Sequence, residues 1–244
     1  MILVVAALEE ELKTGMKHCR GLVRVSGGRL RRGTRDGRPV GFLRAGVGPE
    51  KAARNLAEAL DRIRPDRILV VGYAGALDPG LELGSLVAVT RAIGFSLDPE
   101  DPDWDRVRVE ETFELDDAHA LVRAAEAAGI GATAGIALTS PHVLGNPAHK
   151  ESLFRSLHAS IVDMETAALA RVAAGAGVRL ACIRAVSDEA RDTFLQPFAF
   201  DPASGAGTRV RTLLQTGMAH TWRQWRENAA AAGASLEKFL ERYL

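Results

Sequence analysis

The sequence predicts an α/β fold, a central mixed and mainly parallel sheet flanked by helices, in a single domain over residues 1–244. Three observations lead there. Short β-branched or apolar runs alternate with longer stretches of helical spacing, the pattern of strand–helix–strand units. The length of 244 residues fits one large domain or two small ones, at about 150 residues per domain. No repeat, linker or low-complexity tract marks a second domain, so one is expected.

The elements follow in order. Residues 2–7 read as a strand and 8–18 as a helix with acids in its first turn. Three short strands, 23–25, 30–34 and 40–44, are separated by glycine turns and form a small antiparallel excursion. Pro49 and Glu50 suit the opening of a helix over 49–63. Residues 67–71 read as a fully buried strand ending at a glycine turn, and 85–93 as another strand. The stretch 96–105 holds Pro99, Pro102 and four aspartates, so it reads as a loop and as the segment most free to move. A helix over 118–128, a strand over 132–138 and a helix over 148–157 come next. The short strand 160–162 leads into a helix over 164–176, and 179–186 is the last strand. From 208 onward Val210, Leu213, Leu214, Met218, Trp222 and Trp225 recur at steps of three and four. That stripe reads as core packing on one helix face rather than as a cofactor box.

Composition removes several classes of function. Lys and Arg balance Asp and Glu at 31 each, which leaves no basic footprint for nucleic acid or an anionic membrane. Aromatics are 5% of the chain, too few for a stacking platform along a single strand. With 47% apolar residues the chain can offset the entropy of ordering, so disorder is not its main state. The longest apolar run, 68–77, falls short of the roughly 18 residues that span a bilayer. The start Ile2-Leu3-Val4-Val5 followed by glutamates lacks the parts of a signal peptide, and the cytoplasm is expected. Cys19 and Cys182 are too few for a disulfide framework or a metal cage, and Cys182 reads as a buried free thiol. The histidines show no ligand spacing. No metal and no cofactor are expected.

In open α/β sheets ligands sit beyond the carboxyl ends of strands, so the residues there carry the information. Glu9, Glu10 and Glu11 follow the first strand; first-turn acids complement the helix dipole, yet three in a row exceed that need. Gly46-Val47-Gly48-Pro49 lets backbone N–H groups approach an oxygen-rich ligand, and tight strand–helix packing explains it equally well. The third glycine of a dinucleotide fingerprint is missing, which counts against an oxidoreductase. The small residues of Gly72-Tyr73-Ala74-Gly75 imply close backbone approach, to a ligand or to a neighbouring strand. Asp163 reads as a helix cap ahead of Glu165. Ser187 or Asp188 could cap a helix, although a carboxylate at a strand end inside a cleft is also where a general acid belongs. No Gly-x-Ser-x-Gly turn is present for a serine hydrolase.

Five stretches together resemble the nucleoside phosphorylase/nucleosidase superfamily, in particular its 5′-methylthioadenosine/S-adenosylhomocysteine nucleosidases. They are Ala7-Leu8-Glu9-Glu10-Glu11, Ala45-Gly46-Val47-Gly48, Gly72-Tyr73-Ala74-Gly75, Val162-Asp163-Met164-Glu165-Thr166-Ala167-Ala168 and Arg184-Ala185-Val186-Ser187-Asp188. The resemblance implies a nucleoside phosphorylase-like fold and a self-associating enzyme, most simply a dimer, acting on a small purine nucleoside. It implies that Glu11 activates the attacking water and that Asp188 protonates or hydrogen-bonds the departing purine. Glu165 would hold the ribose hydroxyls with Met164 packing beside the sugar, and Leu8, Gly75, Val143, Leu144 and Ser187 would line the substrate. Breaking an N-glycosidic bond passes through an oxocarbenium-like state, so the residue types agree with the chemistry. To act as an acid near neutrality, Asp188 would need surroundings that favour its protonated form.

This chain departs from the pattern in places. Val143 falls where a family aromatic stacks on the base, Leu8 replaces a methionine, and Tyr73 stands where a serine is usual. The segments 95–104 and 195–206 do not match. Hydrolysis of a purine nucleoside or 5′-substituted adenosine is the leading expectation. A phosphorylase is the alternative, with Arg44 as a phosphate contact that Glu9 to Glu11 would oppose; a nucleosidase of menaquinone or hopanoid biosynthesis is another. A nucleoside-binding protein without activity is the reading from a different class, since fold does not fix function.

Overall fold

The computed structural model describes residues 1–25, 28–97, 107–193 and 219–244. The strand β1 (Ile2–Ala6) runs parallel between β4 (Arg38–Arg44) and β5 (Arg67–Ala76). The outer strands β2 (Arg20–Val25) and β3 (Leu30–Arg35) extend that edge antiparallel. On its other side β5 pairs in parallel with β10 (Arg179–Asp188), which pairs antiparallel with β6 (Leu86–Leu97). β6 carries β7 (Val107–Glu114) on one side and β8 (Ala132–Thr139) on the other, and β8 pairs with β9 (Ile161–Asp163). β9 then returns to the end of β5, through Gly75 and Ala76. Strands β5, β10, β6, β8 and β9 therefore close a ring, and β5 belongs both to it and to the open sheet.

Alternation along buried strands divides the core in two. Leu3 and Val5 of β1 face α2 (Pro49–Leu60) and α5 (Thr166–Gly175), meeting Leu56, Ala59, Leu169 and Ala173. Val4 and Ala6 face the opposite layer, α1 (Glu9–Lys17), α3 (Ala118–Ala127) and α6 (Ala219–Tyr243). Leu12, Leu121, Leu236 and Phe239 fill that side. A third cluster under α4 (Pro147–Leu157) joins Leu77, Phe95, Leu138, Leu144 and Leu153. Truncating a fully buried side chain such as Leu56 costs about 2–5 kcal/mol in such settings.

The expected α/β architecture is present, and its differences from the sequence reading have physical causes. β5 does not stop at Val71 but continues to Ala76, because β10 and β9 supply ladder partners through its small residues. β10 likewise runs on through Ser187 and Asp188, so neither opens a helix. β7 is an unforeseen strand; it sits at an edge, and its exposed Arg108 and Glu110 hid the strand pattern. β6 takes in Ser96 and Leu97; the rest of the expected loop over 96–105, the segment 195–206 and the apolar stripe up to 218 fall outside the described residues. Among the described residues no helix is long and apolar enough to cross a membrane. Cys182 is a buried free thiol, as expected.

Candidate active site

The middle of β5 organises the site. One edge of β5 pairs with β1 as far as Val70 and with β9 from Gly75, and between them the Tyr73 N–H meets a side chain instead of a strand. That side chain is Glu11, whose Oε1 accepts the Tyr73 N–H at 3.0 Å. Its Oε2 accepts the Leu8 N–H at 2.7 Å, which is the backward half of a helix-capping arrangement. Leu8 contributes its backbone here and stands at the N-cap of α1. Burial raises the Glu11 pKa from 4.5 to about 7, against the lowering effect of these two N–H groups and of Arg184.

Arg184 sits beside Gly72 in the β5–β10 register and is 1% exposed. Its Nη2 lies 2.7 Å from Asp163 Oδ2, 3.6 Å from Glu165 Oε2 and 2.8 Å from Thr166 Oγ1. A Cβ on Gly72 would lie 2.4 Å from Arg184 Nη1 and 2.9 Å from Glu11 Oε1, so glycine is what lets both side chains cross the strand. Asp163 acts as the expected cap, its Oδ1 accepting the N–H groups of Glu165 and Thr166, both at 3.2 Å, and it is an ion-pair partner as well. Glu165 Oε1 accepts the Gly48 N–H at 3.0 Å. The glycine turn, with Gly46 and Gly48 at φ +88° and +95°, thus points an N–H at a protein carboxylate. Burial pushes the Glu165 pKa up, Arg184 pulls it down and Asp163 adds to the rise.

Asp188 lies one turn of the ladder away, beside Gly75, after a register shift between Val186 and Asp188 that re-aims it. A Cβ on Gly75 would come within 2.6 Å of Asp188 Oδ2. That oxygen receives the Lys150 ammonium at 2.6 Å, and Oδ1 receives the Ser187 hydroxyl at 2.9 Å. Asp188 is thus held between an ammonium and a hydroxyl. Among the other expected substrate contacts, Met164 is half-buried next to Glu165, and Val143 is 45% exposed. Leu144 is 4% exposed and packs into the cluster under α4.

Glu11 also borders a cavity of about 270 Å³ lined by Glu10, Thr14, Tyr73 and the Gly233 stretch of α6. Gly233 leaves room for the Tyr73 hydroxyl, which a Cβ there would approach to 3.1 Å. Arg44, the candidate phosphate contact, is exposed. No group of three or more His, Cys, Asp or Glu among the described residues is arranged to hold a metal ion.

Sequence reasoning assigned no role to Arg184 or Lys150. The signals were there: Arg184 interrupts the apolar buried run 180–186 of β10, and Lys150 shares a helix face with Leu153. A buried charge in such a place needs a partner.

The profile of the Phosphorylase superfamily matches residues 1–239. The 5′-methylthioadenosine/S-adenosylhomocysteine nucleosidase of Geobacillus kaustophilus is 31% identical over 199 residues, covering 76% of this chain and 83% of that protein. Among solved structures, the corresponding nucleosidase of Neisseria meningitidis, in complex with methylthio-immucillin-A, superposes with a TM-score of 0.73 at 20% identity, covering 100% of this chain and 99% of that one. A futalosine hydrolase mutant of Helicobacter pylori superposes with a TM-score of 0.64 at 18% identity over 76% of this chain and 88% of that one. At these identities the superpositions speak for the fold. The profile match over nearly the whole length, with the similarity to the Geobacillus protein, shows that the chain belongs to the phosphorylase superfamily.

Proposed function

We propose that this protein hydrolyses the N-glycosidic bond of a 5′-substituted adenosine of the methylthioadenosine/S-adenosylhomocysteine type. The observation that carries the reading is the placement of Glu11 and Asp188 at the two ends of one β5 segment, against Gly72 and Gly75. Gly72 and Gly75 stand about 10 Å apart along the strand, so both carboxylates approach the same short stretch of β5. Glu11, with a pKa near 7, is suited to take a proton from water as the water attacks C1′. Glu165, steadied by Gly48 and Arg184, accepts hydrogen bonds from the ribose hydroxyls as positive charge grows on the sugar. Asp188 meets the departing purine, with Ser187 beside it. Leu8, Gly75, Met164, Val143 and Leu144 shape the enclosure.

Water is favoured over phosphate by charge. Arg184 is engaged by Asp163 and Thr166, and Glu10 and Glu11 stand where a dianion would have to approach. The chain works as one domain over 1–244, in the cytoplasm, as a self-associating protein on a small nucleoside and without a cofactor. Light scattering at micromolar concentration tests the self-association, which a strict monomer would contradict. The function is tested by chromatography of a substrate panel with and without phosphate. Methylthioadenosine should yield adenine in both buffers. Futalosine belongs in the panel because of the Helicobacter fold neighbour, and faster release of its base would move the substrate there. Tight binding of nucleosides with no cleavage would instead make this a binding protein.

A further inference from the structure

Lys150 is fully buried, an unusual place for a lysine, and it lies in the first turns of α4. The Asn146 side chain caps that helix by accepting the Ala148 N–H at 2.9 Å, which fixes the face that carries Lys150 and Leu153 inward. The Lys150 ammonium donates to Asp188 Oδ2 at 2.6 Å and to the Glu189 carbonyl at 2.9 Å. Ser187 holds Oδ1 of the same carboxylate, and β5 keeps a glycine at 75 where any Cβ would push against Oδ2. Three elements thus converge to fix one carboxylate. Burying an ammonium is costly unless an anion compensates, and an apolar residue would suit this helix face better for stability alone.

We propose that Lys150 is a positioning residue for departure of the base: it locks the Asp188 carboxylate in one orientation and places a positive charge behind the group that faces the base. This rests on the reading of Asp188 given above. The orientation of that carboxylate matters as the bond to the base breaks, so Lys150 lowers the barrier more than it tightens substrate binding. Lys150 acts through Asp188 and does not touch the substrate.

The test is a double-mutant cycle on methylthioadenosine with Lys150→Met, Asp188→Asn and the two combined. Lys150→Met should lower kcat by about tenfold or more, the effect of losing one charge-assisted hydrogen bond in the transition state, with KM changed by less than about threefold. In the Asp188→Asn background the same change should cost less than about twofold, because the partner it acts through is gone. Lys150→Arg, which keeps the cation, should recover most of kcat. If Lys150→Met does not fold, Lys150→Gln carries the cycle, with thermal melting to confirm the native state. A loss that multiplies with that of Asp188→Asn, an unchanged kcat, or a loss seen in KM alone overturns the role. A wild type that turns over while the cycle multiplies removes only Lys150; a wild type that releases no base removes both this role and the proposed activity.

Discussion

Arg184 Nη2 stands 2.7 Å from Asp163 Oδ2, with both side chains about 1% exposed. The pair joins β10 to the start of α5, and the same aspartate caps that helix and accepts the Thr139 hydroxyl at 2.9 Å. Removing one partner of a buried pair leaves the other charge uncompensated. Asp163→Ala should therefore destabilise the fold by about 3–5 kcal/mol, read by urea unfolding. A loss below about 1 kcal/mol, the range of an exposed pair, would show that the contact does not hold the fold.

Gly75→Ala tests the close approach of Asp188 to β5. A new Cβ would lie 2.6 Å from Oδ2, so the carboxylate or the Lys150 beside it has to shift. A displacement of about 1 Å at a reacting group costs up to about a hundredfold in turnover. We expect such a fall in kcat with an unchanged circular dichroism spectrum. Full activity in this variant would mean that Asp188 is not held against the strand.

Much of this was legible in the sequence because it rests on local signals. The 2–6 and 180–183 runs are apolar on both faces, which only a doubly covered strand allows, and Pro49 marks the start of α2. The resemblance assigned Glu11, Glu165 and Asp188 to one site; the structure sets Glu11 and Glu165 beside Arg184, and Asp188 beside Lys150. Less legible were features that depend on partners distant in sequence. Gly72 to Gly75 look like a turn, and only the pairing with β10 and β9 keeps them extended. Lys150 reads as a solvated charge until the approach of Asp188, 38 residues on, gives it an anion. The resemblance gave Leu144 as a residue lining the substrate, and its packing under α4 depends on Leu153 and Phe95.

The buried Glu11 gives activity and stability opposite dependences on pH. In its proposed role as general base it must be ionised, so kcat/KM should rise with pH through about 7. For stability the sign reverses. Its folded pKa lies above the ordinary 4.5, so its contribution is fully present below about 4.5 and is lost as pH rises through about 7. Glu165, shifted the same way by burial, adds to the trend. Glu11→Gln should then gain on the wild type between pH 5 and pH 8, by up to about 3 kcal/mol. Melting curves at both pH values measure this; a constant gap would mean that Glu11 is not buried as a charge.

If Glu165 holds the ribose as proposed, Glu165→Gln removes charge assistance where the sugar becomes positive. Each charged hydrogen bond to a ribose hydroxyl is worth about 1.5–3 kcal/mol, so turnover should fall at least about tenfold. A 2′-deoxy substrate, which lacks one of the two hydroxyls, should lose less from the same change. Equal losses for both substrates would show that Glu165 does not touch the 2′ position.

In the proposed reaction Glu11 and Asp188 serve one hydrolytic step from the two ends of the same β5 segment. Asp188→Asn should suppress nucleosides with poor leaving groups most and spare those whose base departs without protonation. Glu11→Gln should suppress both alike, since water attack is common to them. The most direct measurement is the product and rate of the wild type on methylthioadenosine in phosphate-free buffer. Hydrolysis should give adenine and free 5-methylthioribose, formed at the same rate whether or not phosphate is present. A requirement for phosphate, with a ribose 1-phosphate as product, would contradict it and make the protein a phosphorylase.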